Sequence, residues 1–84
     1  MSYEILLVED SRAASEMLKG ILGENTEYDV FAAMSFAQAK AFIDDSERQF
    51  DIALLDLNLP DAPHGEIVDM VVGAGIRSVV FTTE

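Results

Sequence analysis

Short apolar segments of strand length alternate along this chain with segments of helical periodicity, and this alternation restricts the fold more than any other feature. The apolar segments cover residues 5–8, 28–32, 52–55 and 79–81. Three of them are unbroken apolar runs, which are typical of strands buried on both faces of a sheet. Strands that alternate with helices predict parallel pairing through right-handed helical crossovers. The expected fold class is α/β, an open doubly wound parallel sheet with helices on both faces.

Each segment between these strands has apolar residues at helical spacing. The first helix is predicted to end at Gly23 and to carry one apolar face: Ala14, Met17, Leu18, Ile21 and Leu22. Ser35 is predicted to cap the second helix, whose apolar stripe is modest: Phe36, Ala39 and Ile43. The third helix is predicted to end in the glycine-containing stretch 73–75 and to carry a short apolar face: Ile67, Val68, Val71 and Val72.

The size and charge of the chain exclude several classes of protein. Its 84 residues leave room for one hydrophobic core, so a single domain over residues 1–84 is expected. A formal net charge of −11 makes direct binding to nucleic acid or to an anionic membrane unfavourable. The chain has no cysteine, which excludes disulfides and thiol chemistry and fits a reducing compartment. The apolar runs are too short to span a bilayer and residues 1–4 do not resemble a signal peptide, so a cytoplasmic location is expected.

Acidic and hydroxyl side chains follow three of the predicted strands. Glu9 and Asp10 follow the first strand, Asp56 closes the third, and Thr82 follows the fourth. The carboxyl ends of parallel strands meet at one edge of a sheet, where open α/β folds place their sites. Three carboxylates there would repel one another unless a cation joined them, and oxygen ligands suit Mg²⁺. The alternative is that Asp10 and Ser11 cap a helix while Asp56 ends a strand.

Three segments together resemble the receiver domain of two-component response regulators. They are Ile-Leu-Leu-Val-Glu-Asp-Ser at 5–11, Asp-Ile-Ala-Leu-Leu-Asp-Leu-Asn-Leu-Pro-Asp at 51–61 and Val-Val-Phe-Thr-Thr at 79–83. The resemblance runs in order over the whole chain. It implies a flavodoxin-like topology with the strand order 2-1-3-4.

The resemblance also implies a role for each residue at the predicted edge. Asp56 would accept a phosphoryl group from the phosphohistidine of a partner histidine kinase or phosphotransfer protein. Glu9, Asp10 and Asp56 would hold Mg²⁺ together with the backbone carbonyl of Asn58, and the Thr82 hydroxyl would contact the phosphoryl oxygens. Glu9 stands where many relatives have aspartate. The protein would then not be an enzyme, beyond self-catalysed phosphotransfer and dephosphorylation.

Receiver domains of this family continue past the fourth strand with a helix, a fifth strand and a further helix. We therefore expect a truncated receiver, without the lysine and the aromatic residue that the family carries in that region. The fourth strand is expected to form an open edge through which the chain makes a homo-oligomer, most simply a dimer.

Two other functions are compatible with the residues. One is a non-phosphorylated oligomerisation or interaction module in which the acidic site is vestigial. The other is a small phosphatase similar to haloacid dehalogenases, which also use an aspartyl nucleophile. That family has Asp-x-Asp after its first strand, whereas this chain has Asp56-Leu-Asn58 after its third.

Overall fold

The computed structural model describes residues 2–81, in which strands and helices alternate. The elements are β1 Tyr3–Val8, α1 Arg12–Gly23, β2 Tyr28–Ala33, α2 Phe36–Asp44, β3 Ile52–Asp56, α3 Glu66–Gly73 and β4 Arg77–Phe81. All seven predicted elements are present. The strands β1 and β4 begin earlier than their apolar runs, because backbone pairing with β2 and β3 extends to Tyr3 and Arg77 whatever the polarity of their side chains.

The four strands form one parallel sheet in the order β2-β1-β3-β4. This order confirms the topology that the sequence resemblance implied. The two central strands contain two of the three apolar runs, and Leu6, Leu7 and Val8 of β1 are fully buried. Because all four strands run in the same direction, the residues that follow β1 and β3 emerge at the same edge of the sheet.

Helices cover both faces of the sheet, as predicted. Helices α2 and α3 contact each other and cover one face, whereas α1 packs on the other face against β1 and β2. The main core lies under α2 and α3: Leu6, Val8, Ala33, Ala39, Ala53, Leu55, Leu59, Ala62, Ile67 and Val71. This core includes Leu59 and Ala62 from the loop after β3, so the loop that follows the candidate acceptor is anchored in the hydrophobic interior.

The apolar face predicted for α1 is only partly buried. Met17 and Ile21 are 60% and 58% exposed, whereas Ser15 is buried. Within residues 2–81, α1 is the one helix on its side of the sheet, and it lies over β1 and β2. The wide apolar stripe therefore has no neighbouring helix to cover its outer part. An open groove of about 490 Å³ lies beside α1, lined by apolar side chains that include Leu22, Ile52 and Leu54.

Strand β4 forms one edge of the sheet. It pairs with β3, and no other strand of the described part of the chain pairs with it. Val79 and Val80 are 45% and 47% exposed, on opposite faces of this strand. Thr82, the hydroxyl residue predicted to follow the strand, lies outside the described residues. Between residues 2 and 81, no helix is both long enough and apolar enough to cross a membrane.

Candidate functional site

The neighbouring strands β1 and β3 bring three carboxylates together at the carboxyl edge of the sheet. Glu9 directly follows β1, and its backbone N–H donates to the carbonyl of Ala33 at 3.0 Å. Asp56 is the last residue of β3. One carboxylate oxygen each from Glu9, Asp10 and Asp56 lie within 4.8 Å of one another. The predicted convergence of these three side chains is therefore what the fold produces.

The three carboxylates differ in burial. Glu9 is fully buried and Asp56 is 2% exposed, whereas Asp10 is exposed to solvent. Burying an ionised carboxylate is unfavourable unless hydrogen bonds or an opposite charge compensate for the lost water. Two of the three acidic side chains are therefore buried, and the cluster is open to solvent at Asp10, where a small hydrated cation can enter.

Backbone N–H groups satisfy one oxygen of each buried carboxylate. The Ser11 N–H donates to Glu9 Oε1 at 2.9 Å, and the Asn58 N–H donates to Asp56 Oδ1 at 3.0 Å. The hydroxyl of Ser11 caps α1 by accepting from the N–H of Ala14 at 3.3 Å. Helix capping therefore accounts for Ser11, but it does not account for the position of the three carboxylates.

The second oxygen of Glu9 is left without a partner. Among the described residues, Glu9 Oε2 is buried and has no hydrogen-bond partner. Burial raises the pKa of Glu9 above its usual range, and the neighbouring Asp56 carboxylate raises this pKa further, although the bond from Ser11 lowers it. An orphaned buried oxygen in an all-oxygen cluster fits a divalent cation such as Mg²⁺, which binds carboxylates and retains several of its waters.

The other predicted site residues are Asn58 and Thr82, and the structure describes only the first of them. Asn58 lies beside Asp56 and is held there through its own N–H, while its carbonyl as a metal ligand stays a prediction. Thr82 as a phosphoryl contact also stays a prediction, because it lies outside the described residues. Arg12, the first residue of α1, was not predicted as a site residue; it is exposed and pairs with Glu16 at 3.6 Å, one turn along α1.

Asp61 has no role that the sequence predicts, although it stands in the segment that carries the family resemblance. Its Oδ1 accepts from the N–H of Phe36 at 2.9 Å and its Oδ2 accepts from the N–H of Ala37 at 3.1 Å. These bonds join the loop after β3 to the start of α2. The spacing Ser35-x-x-Gln38 signals a cap at this helix, but no local pattern signals a bond between residues 24 or 25 positions apart.

Comparison with known proteins finds similarity among solved structures. No family model matches the sequence, and no curated protein matches it. The non-phosphorylated HemR receiver domain from Leptospira biflexa is 29% identical with a TM-score of 0.84, and the match covers 99% of this chain and 66% of that chain. A CheY-like response regulator receiver domain protein from Methanospirillum hungatei JF-1 is 28% identical with a TM-score of 0.85, covering 100% of this chain and 66% of that chain. The MaeR response regulator bound to beryllium trifluoride is 20% identical with a TM-score of 0.83, over 98% of this chain and 68% of that chain.

The strand order and the position of the acidic cluster define an open, flavodoxin-like α/β domain with its site at the carboxyl ends of the strands. The matching structures specify the class further. The chain has the structure of a response regulator receiver domain from β1 to β4, which confirms the resemblance seen in the sequence. It spans about two thirds of the length of those domains.

Proposed function

We propose that this protein is a receiver module that is phosphorylated on Asp56 by a partner histidine kinase or phosphotransfer protein with the aid of Mg²⁺. The observation that carries the proposal is the acidic cluster, in which three carboxylate oxygens lie within 4.8 Å of one another and Glu9 Oε2 has no partner among residues 2–81. A strand end or a helix cap does not require either feature. The ligands would be Glu9, Asp10, Asp56 and the backbone carbonyl of Asn58.

The proposed reaction uses a carboxylate as the nucleophile. An oxygen of Asp56 attacks phosphorus, an O–P bond forms, and the P–N bond to the donor imidazole breaks with its electron pair remaining on nitrogen. Bound Mg²⁺ would neutralise the charge on the acceptor and on the phosphoryl oxygens. The Asn58 N–H already binds Asp56 Oδ1, which orients the carboxylate so that its second oxygen is the candidate nucleophile. The protein would act as a phosphoacceptor rather than as an enzyme with a separate substrate.

A small phosphodonor tests this function without knowledge of the kinase. The purified chain is incubated with acetyl phosphate, with and without Mg²⁺, and its intact mass is measured. We expect one added phosphoryl group that depends on Mg²⁺. An unchanged mass under both conditions would contradict the proposal and favour the alternative, a non-phosphorylated interaction module with a vestigial acidic site.

Mg²⁺ is expected to stabilise the folded protein. A cation that binds only the folded state at ten times its Kd adds about 1.4 kcal/mol to the free energy of unfolding. For a domain of this size that corresponds to a rise in Tm of several degrees, and saturation is expected near millimolar Mg²⁺. Thermal melts over a Mg²⁺ series measure the effect.

Two variants serve as controls for the Mg²⁺ melts. Asp10→Ala removes the exposed ligand and should abolish the rise in Tm. Asp29→Ala removes the same charge from β2, where Asp29 pairs with Glu4 at the opposite end of the sheet, and it should keep the rise. An equal rise in both variants would show that Mg²⁺ acts by general screening of the −11 charge and not at the cluster.

We also propose that this chain self-associates through β4. Val79 and Val80 expose apolar surface on both faces of this edge strand, and its one charged side chain in the described residues is Arg77. The edge is therefore an apolar strip on a chain with a net charge of −11. Since salt screens the repulsion between two such chains, association should strengthen as ionic strength rises.

Light scattering in low and high salt measures this association. We expect a larger mass in high salt, and we expect Val79→Lys to reduce it, because a charge on an edge strand opposes pairing. A 9.2 kDa monomer at both salt concentrations would show that the exposed strand does not mediate self-association.

We place the module in the cytoplasm, where a cysteine-free signalling protein and its kinase would meet. We expect no direct contact with nucleic acid or membrane.

A further inference from the structure

A carboxylate outside the acidic cluster joins the loop after β3 to α2. Asp61 binds the N–H groups of Phe36 and Ala37, the first two residues of α2, with one oxygen each, at 2.9 and 3.1 Å. These N–H groups have no partner within the helix, and the positive end of the helix dipole favours an anion there. The same bonds, the one from Phe36 first, lower the pKa of Asp61, so this carboxylate is ionised at neutral pH.

The start of α2 is otherwise capped by its own residues. The Ser35 hydroxyl accepts from the Gln38 N–H at 3.1 Å, and the Gln38 side-chain oxygen accepts from the Met34 N–H at 2.8 Å. Asp61 therefore supplies the part of the cap that the helix cannot supply for itself. The apolar contacts of α2 come from Ala39, its one fully buried residue, and from the partly buried Phe36, Phe42 and Ile43, so Asp61 adds a polar attachment to this apolar packing.

The other end of this connection reaches the acidic cluster. The Ala62 N–H donates to the Leu59 carbonyl at 3.2 Å, which closes a tight turn with Pro60 and Asp61 at its centre. Leu59 and Ala62 are both 1% exposed, so the turn is fixed in the core. Asn58 directly precedes this turn and donates its N–H to Asp56 Oδ1. The loop is thus held by Asp56 at its start and by α2 at its centre.

We propose that Asp61 is a positioning residue for the Asp56 site: by tying the turn to α2 it holds Asn58, with both its N–H and its carbonyl, against the acidic cluster. The effect on Mg²⁺ rests on the proposed function, whereas the effect on the Asn58 N–H does not. Without Asp61 the turn keeps only the burial of Leu59 and Ala62 and the bond from the Asn58 N–H to Asp56, and the segment carrying Asn58 gains freedom. With Asp61 present, its exposed side chain couples the position and motion of Asp56 to those of the start of α2.

Three variants separate positioning from helix capping and from charge. Asp61→Ala removes both bonds to α2 and one negative charge. Asp61→Asn removes the same charge but keeps one oxygen that accepts a hydrogen bond. Ser35→Ala weakens the same helix end without touching the loop. Asp61→Ala and Ser35→Ala should each lower Tm by about 5 °C, as loss of a helix cap does in a small domain.

The affinity for Mg²⁺ is the first measurement. Asp61→Ala should raise the Kd for Mg²⁺ by about tenfold, which is the lower end of the effect of losing a residue that supports a metal ligand. Asp61→Asn should recover part of this loss, and Ser35→Ala should stay within about twofold of the original chain. If Asp61→Ala binds Mg²⁺ with the affinity of the original chain, or if Ser35→Ala loses as much affinity as Asp61→Ala does, Asp61 acts only as a helix cap.

Amide hydrogen exchange of the metal-free protein is the second measurement. The Asn58 N–H should exchange faster in Asp61→Ala than in the original chain, and Ser35→Ala should leave it unchanged. Equal exchange at Asn58 in Asp61→Ala and the original chain overturns the proposal. A chain that binds no Mg²⁺ but shows the expected exchange would contradict the proposed function alone, since the positioning of Asn58 would still be observed.

Discussion

Asp56→Asn is expected to abolish Mg²⁺-dependent phosphorylation and to leave the fold intact. The amide keeps the shape of the carboxylate, and its oxygen can still accept the bond from the Asn58 N–H. An amide oxygen is not a nucleophile toward phosphorus under these conditions, so the loss of label should be complete. In metal-free buffer the variant should also be more stable by about 1 kcal/mol, because one of three mutually repelling carboxylates is gone.

The intact mass after treatment with acetyl phosphate measures this loss. Asp69→Asn is the matched control, since Asp69 is an exposed aspartate on α3 and its loss changes the net charge equally. The control should be labelled like the original chain. Full labelling of Asp56→Asn would place the acceptor elsewhere, and unlabelled Asp69→Asn would show that the charge, not the position, matters.

Glu9→Gln is expected to make the metal-free protein more stable at neutral pH and insensitive to Mg²⁺. Glu9 Oε2 is buried and has no partner in the described part of the chain, and an unsatisfied buried polar group destabilises a protein by about 1–3 kcal/mol. The amide of glutamine carries no charge, keeps an oxygen for the Ser11 N–H, and offers a donor toward Asp56. A gain of about 1 kcal/mol corresponds to a rise in Tm of roughly 4–8 °C.

The same substitution should change how stability depends on pH. The pKa of Glu9 is raised in the folded state, so between its usual value of 4.5 and the higher folded value the folded chain binds more protons than the unfolded chain. Stability from this group therefore falls as pH rises through that window, and it is regained on acidification. Glu9→Gln removes this contribution, so its stability should fall less steeply as pH rises.

Urea unfolding at several pH values, each with and without Mg²⁺, measures both effects. Glu47→Gln is the control, because Glu47 is exposed in the stretch between α2 and β3, and the net charge changes by the same amount. That control should keep the original pH slope and the response to Mg²⁺. A Glu9→Gln protein that Mg²⁺ still stabilises would remove Glu9 from the metal site.

Much of the fold can be predicted because its determinants are local. The strands β1 and β3 each contain an unbroken apolar run of four residues, and in a parallel sheet the residue after each run must lie at the carboxyl edge. Glu9 and Asp56 could therefore be placed together from their positions in the sequence alone. Ser35 could be assigned as the cap of α2 for the same reason, since a cap depends on neighbouring residues.

Other features depend on neighbours that a local pattern does not identify. The spacing of Met17 and Ile21 matches that of the α1 residues facing the sheet, yet they are exposed, because burial depends on what lies beside the helix. The two oxygens of Glu9 are equivalent in the sequence, but one accepts from the Ser11 N–H and the other has no partner within the described structure. The bonds that Asp61 accepts from the N–H groups of α2 require the turn after β3 to reach the start of that helix.

The register of the sheet places Asp56 directly opposite Phe81 of the edge strand β4. The candidate acceptor is therefore on the strand next to the sheet edge at which we propose that a second chain adds. If phosphorylation or metal binding at Asp56 changes the affinity of that edge for a second chain, thermodynamic linkage requires that binding of the second chain changes the equilibrium at Asp56 by the same factor. The outermost strand is thus the shortest path in the described structure by which a chemical change at the site and the recruitment of a partner can act on each other.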